Sequence, residues 1–132
     1  MIDRIDHVVL NCRDVEATAS WYERALGFER QVFGSDQRIA LKFGRQKLNL
    51  RPTGAPNWVT GAVDAPGAMD FCFVTESGLD RAVERLRRKG IEITQGPVTR
   101  TGALGPMTSI YCRDPDGNLV EIAAYDAVSA KS

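Results

Sequence analysis

The distribution of apolar and polar residues divides the first half of the chain into short strands and one amphipathic helix. β-Branched and apolar residues dominate "HVVLNC", which predicts a strand from Arg4 to Cys12. "DVEATASWYERALG" follows with apolar residues at helical spacing, Asp14 as the N-cap and Gly27 as the terminating glycine. Three further strands are predicted at "FERQVFG", "RIALKF" and "KLNLR".

The second half repeats this order after a Pro/Gly-rich linker, "PTGAPNWVTGAVDAPG". "MDFCFV" predicts a strand, and "GLDRAVERLRRKG" predicts a helix that Ser77 caps and Gly90 closes. Strands follow at "IEITQGPV", "MTSIYCR" and "NLVEIAAY", and "DPDG" between the last two is typical of a type I turn. The order β-α-β-β-β therefore occurs twice.

The residue numbering supports an internal duplication. Asp70 follows His7 by 63 residues, and Gly90 follows Gly27 by the same 63. Asn49 aligns with Glu121 at an offset of 72, and we place the extra residues in a loop at "RTGALGP". The prediction is an α+β fold with two βαβββ modules, whose curved mixed sheets surround a cleft. One domain, 1–132, contains a module at 1–52, a linker at 53–67 and a module at 68–126.

The alternation of side chains along the strands places a small set of polar residues together. His7, the only histidine, shares a face with Val9 and Asn11, while Leu10 and Cys12 point to the opposite face under the helix. Asp70 and Glu121 are the only charged residues in their strands, and such carboxylates are costly unless paired, exposed or bound to metal. The three side chains suit a divalent ion with open positions. The alternatives are a hydrogen-bonded core histidine, an Asp70 bonded to backbone amides, and a Glu121 that is exposed or paired with arginine.

Composition and charge exclude several classes of function. The chain has 132 residues, 43% of them hydrophobic and 26% charged, which is typical of a soluble globular protein. Lys plus Arg and Asp plus Glu both number 17, so no net charge attracts nucleic acid or an anionic membrane. No apolar run is long enough for a membrane span or a signal peptide, and we expect a cytoplasmic protein. Three cysteines without CxxC spacing are expected to be small buried residues.

Three features of the chain together resemble the vicinal oxygen chelate superfamily. They are the paired βαβββ order and the segments "HVVLNCRDVEATASWYERALGF" and "SIYCRDPDGNLVEI". That superfamily contains glyoxalase I, fosfomycin-resistance enzymes, bleomycin-resistance proteins, extradiol dioxygenases and methylmalonyl-CoA epimerase. More narrowly, "GPVTRTGALGPMTSIYCRDPDGNLVEI" resembles the glyoxalase domain-containing protein 5 subgroup. The resemblance implies metal ligands on the first and last strands of each module, which are His7 and Glu121 here. Asp70 stands where a histidine is common, and Asn49 stands where glutamate, glutamine or histidine is frequent.

The resemblance also implies a function. A divalent ion (Zn, Ni, Mn or Fe), held by His7, Asp70 and Glu121, would bind two adjacent oxygens of a small substrate, with Glu121 as the catalytic carboxylate. Lyase, isomerase, thiol transferase and dioxygenase reactions all use such a centre, although an extradiol dioxygenase is expected to have two histidines. A homodimer is expected. The alternative is a non-catalytic protein that binds a small molecule, as bleomycin-resistance proteins do.

Five other residues are candidates for substrate binding. The resemblance directs Ser109 and Tyr111 towards the substrate, and Asn49 is expected to form a hydrogen bond in the cleft. Arg51 and Arg100 flank the predicted cleft and are suited to clamp an anionic group. The alternative for all of them is ordinary sheet surface.

Overall fold

The predicted repeat of the βαβββ order is present in the computed structural model, which describes residues 1–125. The elements of the first repeat are β1 (His7–Cys12), α1 (Val15–Leu26), β2 (Glu29–Phe33), β3 (Arg38–Phe43) and β4 (Gln46–Pro52). Those of the second are β5 (Asp70–Val74), α2 (Leu79–Arg88), β6 (Gln95–Gly102), β7 (Gly105–Arg113) and β8 (Leu119–Tyr125). The α+β fold class is confirmed.

The chain divides into two compact units. Unit 1 contains Met1–Met69 and the turn Asp114–Asn118, and unit 2 contains Asp70–Arg113 and, of the described residues that follow, 119–125. The turn between β7 and β8 is therefore part of unit 1, which the sequence did not indicate. The prediction of a single domain with a second module ending at residue 126 reaches beyond the described residues and stays a prediction.

Unit 1 is a four-stranded sheet covered on one face by α1. The strand order is β1-β4-β3-β2, with β1 and β4 parallel and the other pairs antiparallel. Apolar residues from the sheet and from α1 form its core, namely Leu10, Leu41, Leu48, Leu50, Tyr22 and Ala25. The opposite face of this sheet is called here the open face of unit 1. It carries His7, Val9, Lys47, Asn49, Arg51, Arg38, Ala40, Lys42, Glu29, Gln31 and Phe33.

Local chemistry explains why α1 has the predicted bounds. The Asp14 side chain accepts a hydrogen bond of 3.0 Å from the amide of Ala17, and Gly27 ends the helix at φ 71°. A left-handed φ favours glycine because other residues meet a steric penalty there. Arg30 of β2 then ties the sheet to the helix, because its guanidinium contacts Glu16 at 2.6 Å and Glu23 at 2.8 Å.

Unit 2 repeats this plan with a less buried helix. Its strand order is β5-β8-β7-β6, with β5 and β8 parallel. α2 contacts β7 and β8, and Leu86 is its one fully buried residue against the buried Ile110, Val120 and Ile122 of the sheet. Neither helix in residues 1–125 is long and apolar enough to cross a membrane.

The beginnings of α2, β6 and β1 are among the element boundaries that differ from the prediction. Ser77 does not cap α2; Gly78 occupies the N-cap without a side-chain bond, and the Ser77 amide donates to the Thr75 hydroxyl at 3.3 Å. β6 begins at Gln95 rather than Ile91, because the Ile91 amide donates to the Leu86 carbonyl at 2.9 Å and so extends the helix terminus. β1 begins at His7 rather than Arg4.

The predicted "RTGALGP" loop is also wrong. Its residues continue β6 and β7, which pair in register to the hairpin end, where Gly102 lies opposite Gly105. Because alternation is weak in this Gly- and Thr-rich segment, only the pairing partners reveal the strands. The additional residues of the second repeat therefore lengthen a hairpin.

Candidate metal and substrate site

His7 lies at the beginning of β1 on the open face of unit 1. Its side chain is 46% exposed, so its interpretation as a packed core histidine is wrong. Nδ1 contacts a carboxylate oxygen of Asp6 at 2.8 Å, and this bond is the main reason why the pKa of Asp6 is lowered. A carboxylate on Nδ1 is the usual device that orients a histidine whose other nitrogen binds a metal. The Nε2 atom is therefore the ring nitrogen that can act as a metal ligand.

Asn49 occupies the middle of the same face, opposite Val9 on β1 and Ala40 on β3. The residue is only 7% exposed, and its Oδ1 atom has no hydrogen-bond partner in the part of the chain that the structure describes. A buried amide oxygen without a donor costs about 1–3 kcal/mol, so Asn49 is poised to accept a hydrogen bond or to meet a cation.

Arg51, two residues further along β4, already forms hydrogen bonds with other groups of the protein. Its guanidinium donates to Asp64 at 2.7 Å and to Asn11 at 2.9 Å, and also to the carbonyls of Trp58 and Ala55. Arg51 is 4% exposed, and its bond is the main reason why the pKa of Asp64 is lowered. An anionic substrate that used Arg51 would have to compete with Asp64.

In unit 2, Glu121 lies between two strands that carry polar partners. Cys72 of β5 is directly opposite it on one side, and Tyr111 of β7 is directly opposite it on the other. The Oε2 atom of Glu121 is buried and has no hydrogen-bond partner among the described residues. Asp70, two residues before Cys72 on the same face, is exposed. Glu121 is therefore not the freely exposed strand residue of the alternative interpretation.

Cys72 corrects the prediction that all three cysteines are buried. Cys12 and Cys112 are buried, but Cys72 is exposed beside Glu121. Partial burial of the sulfur, followed by the charge and hydrogen bond of Glu121, raises the pKa of the Cys72 thiol to about 12. The sequence contains one signal for this position. Cys72 lies two residues after Asp70, so the two side chains are expected on the same face of the strand.

Ser109 and Tyr111 share the face of Glu121, as the register of β7 against β8 shows. Ser109 is fully buried, and its hydroxyl has no hydrogen-bond partner within residues 1–125. The Tyr111 hydroxyl accepts a hydrogen bond of 2.9 Å from Nε of Arg100, whose guanidinium also lies 5.5 Å from the ring. Glu121, Tyr111 and Arg100 therefore form one cluster.

The predicted metal ligands belong to different units. His7 and Asn49 lie in unit 1, and Asp70 and Glu121 lie in unit 2. Within either unit, no three His, Cys, Asp or Glu side chains of residues 1–125 are grouped closely enough to hold an ion. The donors themselves fit a divalent ion in chemistry, because one imidazole nitrogen and an unpartnered carboxylate oxygen are present. Their assembly into one centre stays a prediction.

Comparison with known proteins gives consistent results. A model of the Glyoxalase/Bleomycin resistance protein/Dioxygenase superfamily matches residues 4–122. The chain is 45% identical over 125 residues to the virulence protein STM3117 of Salmonella typhimurium, covering 95% of this chain and 86% of that protein. It is 43% identical over 121 residues to the glyoxalase domain-containing protein RDO1 of Mycosarcoma maydis, and the match covers 92% of this chain and 68% of that protein.

Among solved structures, an integron cassette protein from the mobile metagenome of V. cholerae is similar over 96% of this chain and 98% of that chain. The two are 42% identical, with a TM-score of 0.92. The similarity therefore extends over the elements of both repeats.

Proposed function

Because this chain belongs to the Glyoxalase/Bleomycin resistance protein/Dioxygenase superfamily, we propose that it is a divalent-metal-dependent enzyme acting on a small metabolite. The proposed ligands are His7, Asp70 and Glu121, and the ion that they would hold would bind two adjacent oxygens of the substrate. The observation that carries the proposal is the buried Oε2 atom of Glu121, for which residues 1–125 provide no hydrogen-bond partner. A buried carboxylate oxygen without a partner is costly, and a cation removes that cost.

The donor types restrict the ion and its chemistry. Nitrogen and carboxylate oxygen ligands suit Zn, Ni, Mn or Fe. When bound, such an ion acts as a Lewis acid that polarises the substrate oxygens. A glyoxalase-like or a dioxygenase-like reaction is compatible with this set, and the presence of one histidine favours the former, since extradiol dioxygenases are expected to have two.

The protein's own groups around Glu121 supply hydrogen bonds to the substrate. The Tyr111 hydroxyl accepts from Arg100, so its own proton is available to donate to a substrate oxygen. The Ser109 hydroxyl is buried without a partner and offers a second donor. Groups held in place in this way stabilise developing negative charge without reorganisation.

Metal content after loading and gel filtration tests the proposal. We expect about one divalent ion per chain in the wild-type protein, and loss of that ion in His7→Ala and Glu121→Gln. Glu76→Gln, the same change at an exposed glutamate of unit 2, should keep the ion. If the loaded wild-type protein holds no ion, or if Glu121→Gln holds as much as the wild type, the proposal is wrong.

A second candidate function is a binding protein of the bleomycin-resistance type. It is favoured by Asn49, a neutral amide that stands where a further ligand is frequent in the superfamily. Titration calorimetry of metal-free protein with bleomycin tests it directly: saturable binding supports this candidate, and absence of heat excludes it for this ligand.

The assembly and location of the protein are part of the same proposal. We expect a cytoplasmic protein, and the resemblance to the superfamily implies a homodimer. Light scattering should therefore give a mass of twice the 14.5 kDa chain, and a monomer would contradict this expectation.

A further inference from the structure

Cys72 and Glu121 form a direct pair on neighbouring strands of unit 2. They are partners in the parallel register of β5 and β8, so their side chains lie on the same face of the sheet. Asp70 lies one step away in this register, opposite Leu119. The Cys72 thiol also interacts with the Glu121 carboxylate through a hydrogen bond. In the register of these strands, Cys72 rather than Asp70 is therefore the metal donor adjacent to Glu121.

Two buried polar atoms on this face have no hydrogen-bond partner in the part of the chain that the structure describes. They are Oε2 of Glu121 and Oγ of Ser109, and Ser109 is fully buried. Buried polar groups in proteins are nearly always satisfied, and an exception indicates a bound water or ion. Because the carboxylate oxygen is negatively charged, a cation beside the pair of Cys72 and Glu121 satisfies it best.

The pair is accessible from solution on the side of Cys72. Cys72 is exposed, and so are its neighbours on the same face, Asp70 and Val74, the latter to 53%. The space beside the sulfur is therefore open to an ion and to its remaining ligands. Cys12 and Cys112 are buried. Of the three cysteines, Cys72 is the one that an ion can reach.

The chemistry of sulfur determines which ions this pair binds. A cysteine binds metal as the thiolate, and a bound ion displaces the proton of the thiol. The proton of Cys72 then passes to the solvent, so that a thiolate and a carboxylate both face the ion. Thiolate is a soft ligand that suits Zn, whereas sites that offer only carboxylate and water suit Mg and Mn.

We propose that Cys72 is a ligand of the metal centre beside Glu121, and that its sulfur makes this centre selective for Zn over Mn. The inference rests on the proposed function, because it adds a sulfur ligand to the centre proposed above. It goes beyond the ligands that the family resemblance implies, which are His7, Asp70 and Glu121.

Absorption spectroscopy of the protein loaded with Co²⁺ detects the sulfur ligand directly, because a cobalt–thiolate bond gives an intense charge-transfer band in the near ultraviolet. We expect this band in the wild-type protein and its loss in Cys72→Ser and in Cys72→Ala. Cys112→Ala removes a buried cysteine from the opposite face of the same sheet and should keep the band. Circular dichroism of the metal-free variants verifies that they are folded.

Equilibrium dialysis against Zn²⁺ and Mn²⁺ tests the selectivity. Cys72→Ser should weaken Zn²⁺ binding by at least about tenfold, since that much is lost even when a residue that only supports a metal ligand is removed. Mn²⁺ binding should change much less, so the ratio of the two affinities should fall. Equal affinities of the wild-type protein for the two ions, or the same ratio in Cys72→Ser, would contradict the proposed selectivity.

The metal content of the same samples separates failure of this inference from failure of the proposed function. If the wild-type protein takes up an ion without the charge-transfer band, or if Cys72→Ser keeps the band, this inference is wrong and the proposed function stands. If the loaded wild-type protein takes up none of these ions, the proposed function is wrong and this inference fails with it.

Discussion

At the scale of single residues, the carboxylate of Asp114 organises the turn between β7 and β8. Its Oδ2 atom accepts from the Tyr22 hydroxyl at 2.9 Å and from the Asn118 amide group at 2.7 Å. Its Oδ1 atom accepts from the backbone amides of Asp116 and Asn118. Tyr22 and Asn118 are fully buried, so neither can turn to water if the carboxylate is lost.

We therefore expect Asp114→Ala to lower the free energy of unfolding by about 2–5 kcal/mol, because buried donors lose their acceptor. Tyr22→Phe removes one donor only and should cost about 0.5–1.5 kcal/mol. Urea denaturation measures both. Asp80→Ala, at an exposed residue of α2, serves as the control, and an unchanged midpoint for Asp114→Ala would contradict the prediction.

A second residue-scale prediction concerns the reactivity of Cys72. Its pKa, raised to about 12 from 9.0, keeps the thiol protonated at neutral pH despite its exposure. The thiolate population at pH 8 is then about a thousandfold below that of an unperturbed thiol. Alkylation of metal-free protein by iodoacetamide at pH 8 should be correspondingly slow and should accelerate in Glu121→Gln. Equal rates in the two proteins would show that Glu121 does not act on the thiol.

At the scale of elements, the linker between the two repeats is attached to β4 through Arg51 and Asp64. Arg51 hydrogen bonds and the Gly54 amide lower the pKa of Asp64 below its ordinary value of 3.8. A carboxylate whose pKa is lower in the folded state stabilises the fold above its unfolded pKa, and this contribution is lost as pH falls through the folded value. The stabilisation by Asp64 is therefore complete near neutral pH and disappears below about pH 4.

Asp64→Asn should consequently melt below the wild-type protein at pH 6, and the difference should shrink as the pH falls below 4. Differential scanning calorimetry across this range is the measurement. Glu92→Gln, at an exposed glutamate between α2 and β6, should follow the wild type throughout. A difference that is constant with pH would mean that the charge of Asp64 is not responsible.

The elements also show which parts of the fold the sequence predicts. α1 and β3 were predicted at their observed positions because capping residues and apolar periodicity are local signals. β6 was misplaced because "IEIT" alternates like a strand, yet its first amide bonds to the end of α2. Pairing between distant segments decides such cases, and a single sequence does not contain that information.

The candidate site was predictable to the same degree. Alternation correctly assigned His7, Asp70 and Glu121 to faces shared with Val9, Cys72 and Ala123. Nothing in the sequence indicates that Asp64 binds Arg51, since Asp64 lies 13 residues beyond this β4 residue, in an irregular linker. Nor does the sequence indicate Cys72 and Glu121 as direct partners, because that depends on the register of β5 and β8.

At the scale of the whole molecule, the proposed metal centre would need ligands from both units, and this proposal has a thermodynamic consequence. An ion that binds only the folded protein stabilises it by about 2.7 kcal/mol at a concentration of one hundred times Kd. One ion would use His7 from unit 1 and Glu121 from unit 2. Substitution of either ligand should therefore abolish the whole stabilisation by the ion.

Thermal unfolding with and without added Mn, Ni, Fe or Zn measures this coupling. The melting temperature of the wild-type protein should rise with the concentration of the effective ion, and it should not rise for His7→Ala or for Glu121→Gln. Glu76→Gln should respond like the wild type. If His7→Ala keeps part of the increment while Glu121→Gln loses it, the ion binds to unit 2 alone. Asp70 and Cys72 would then be the next ligands to substitute, because they lie on the same face as Glu121.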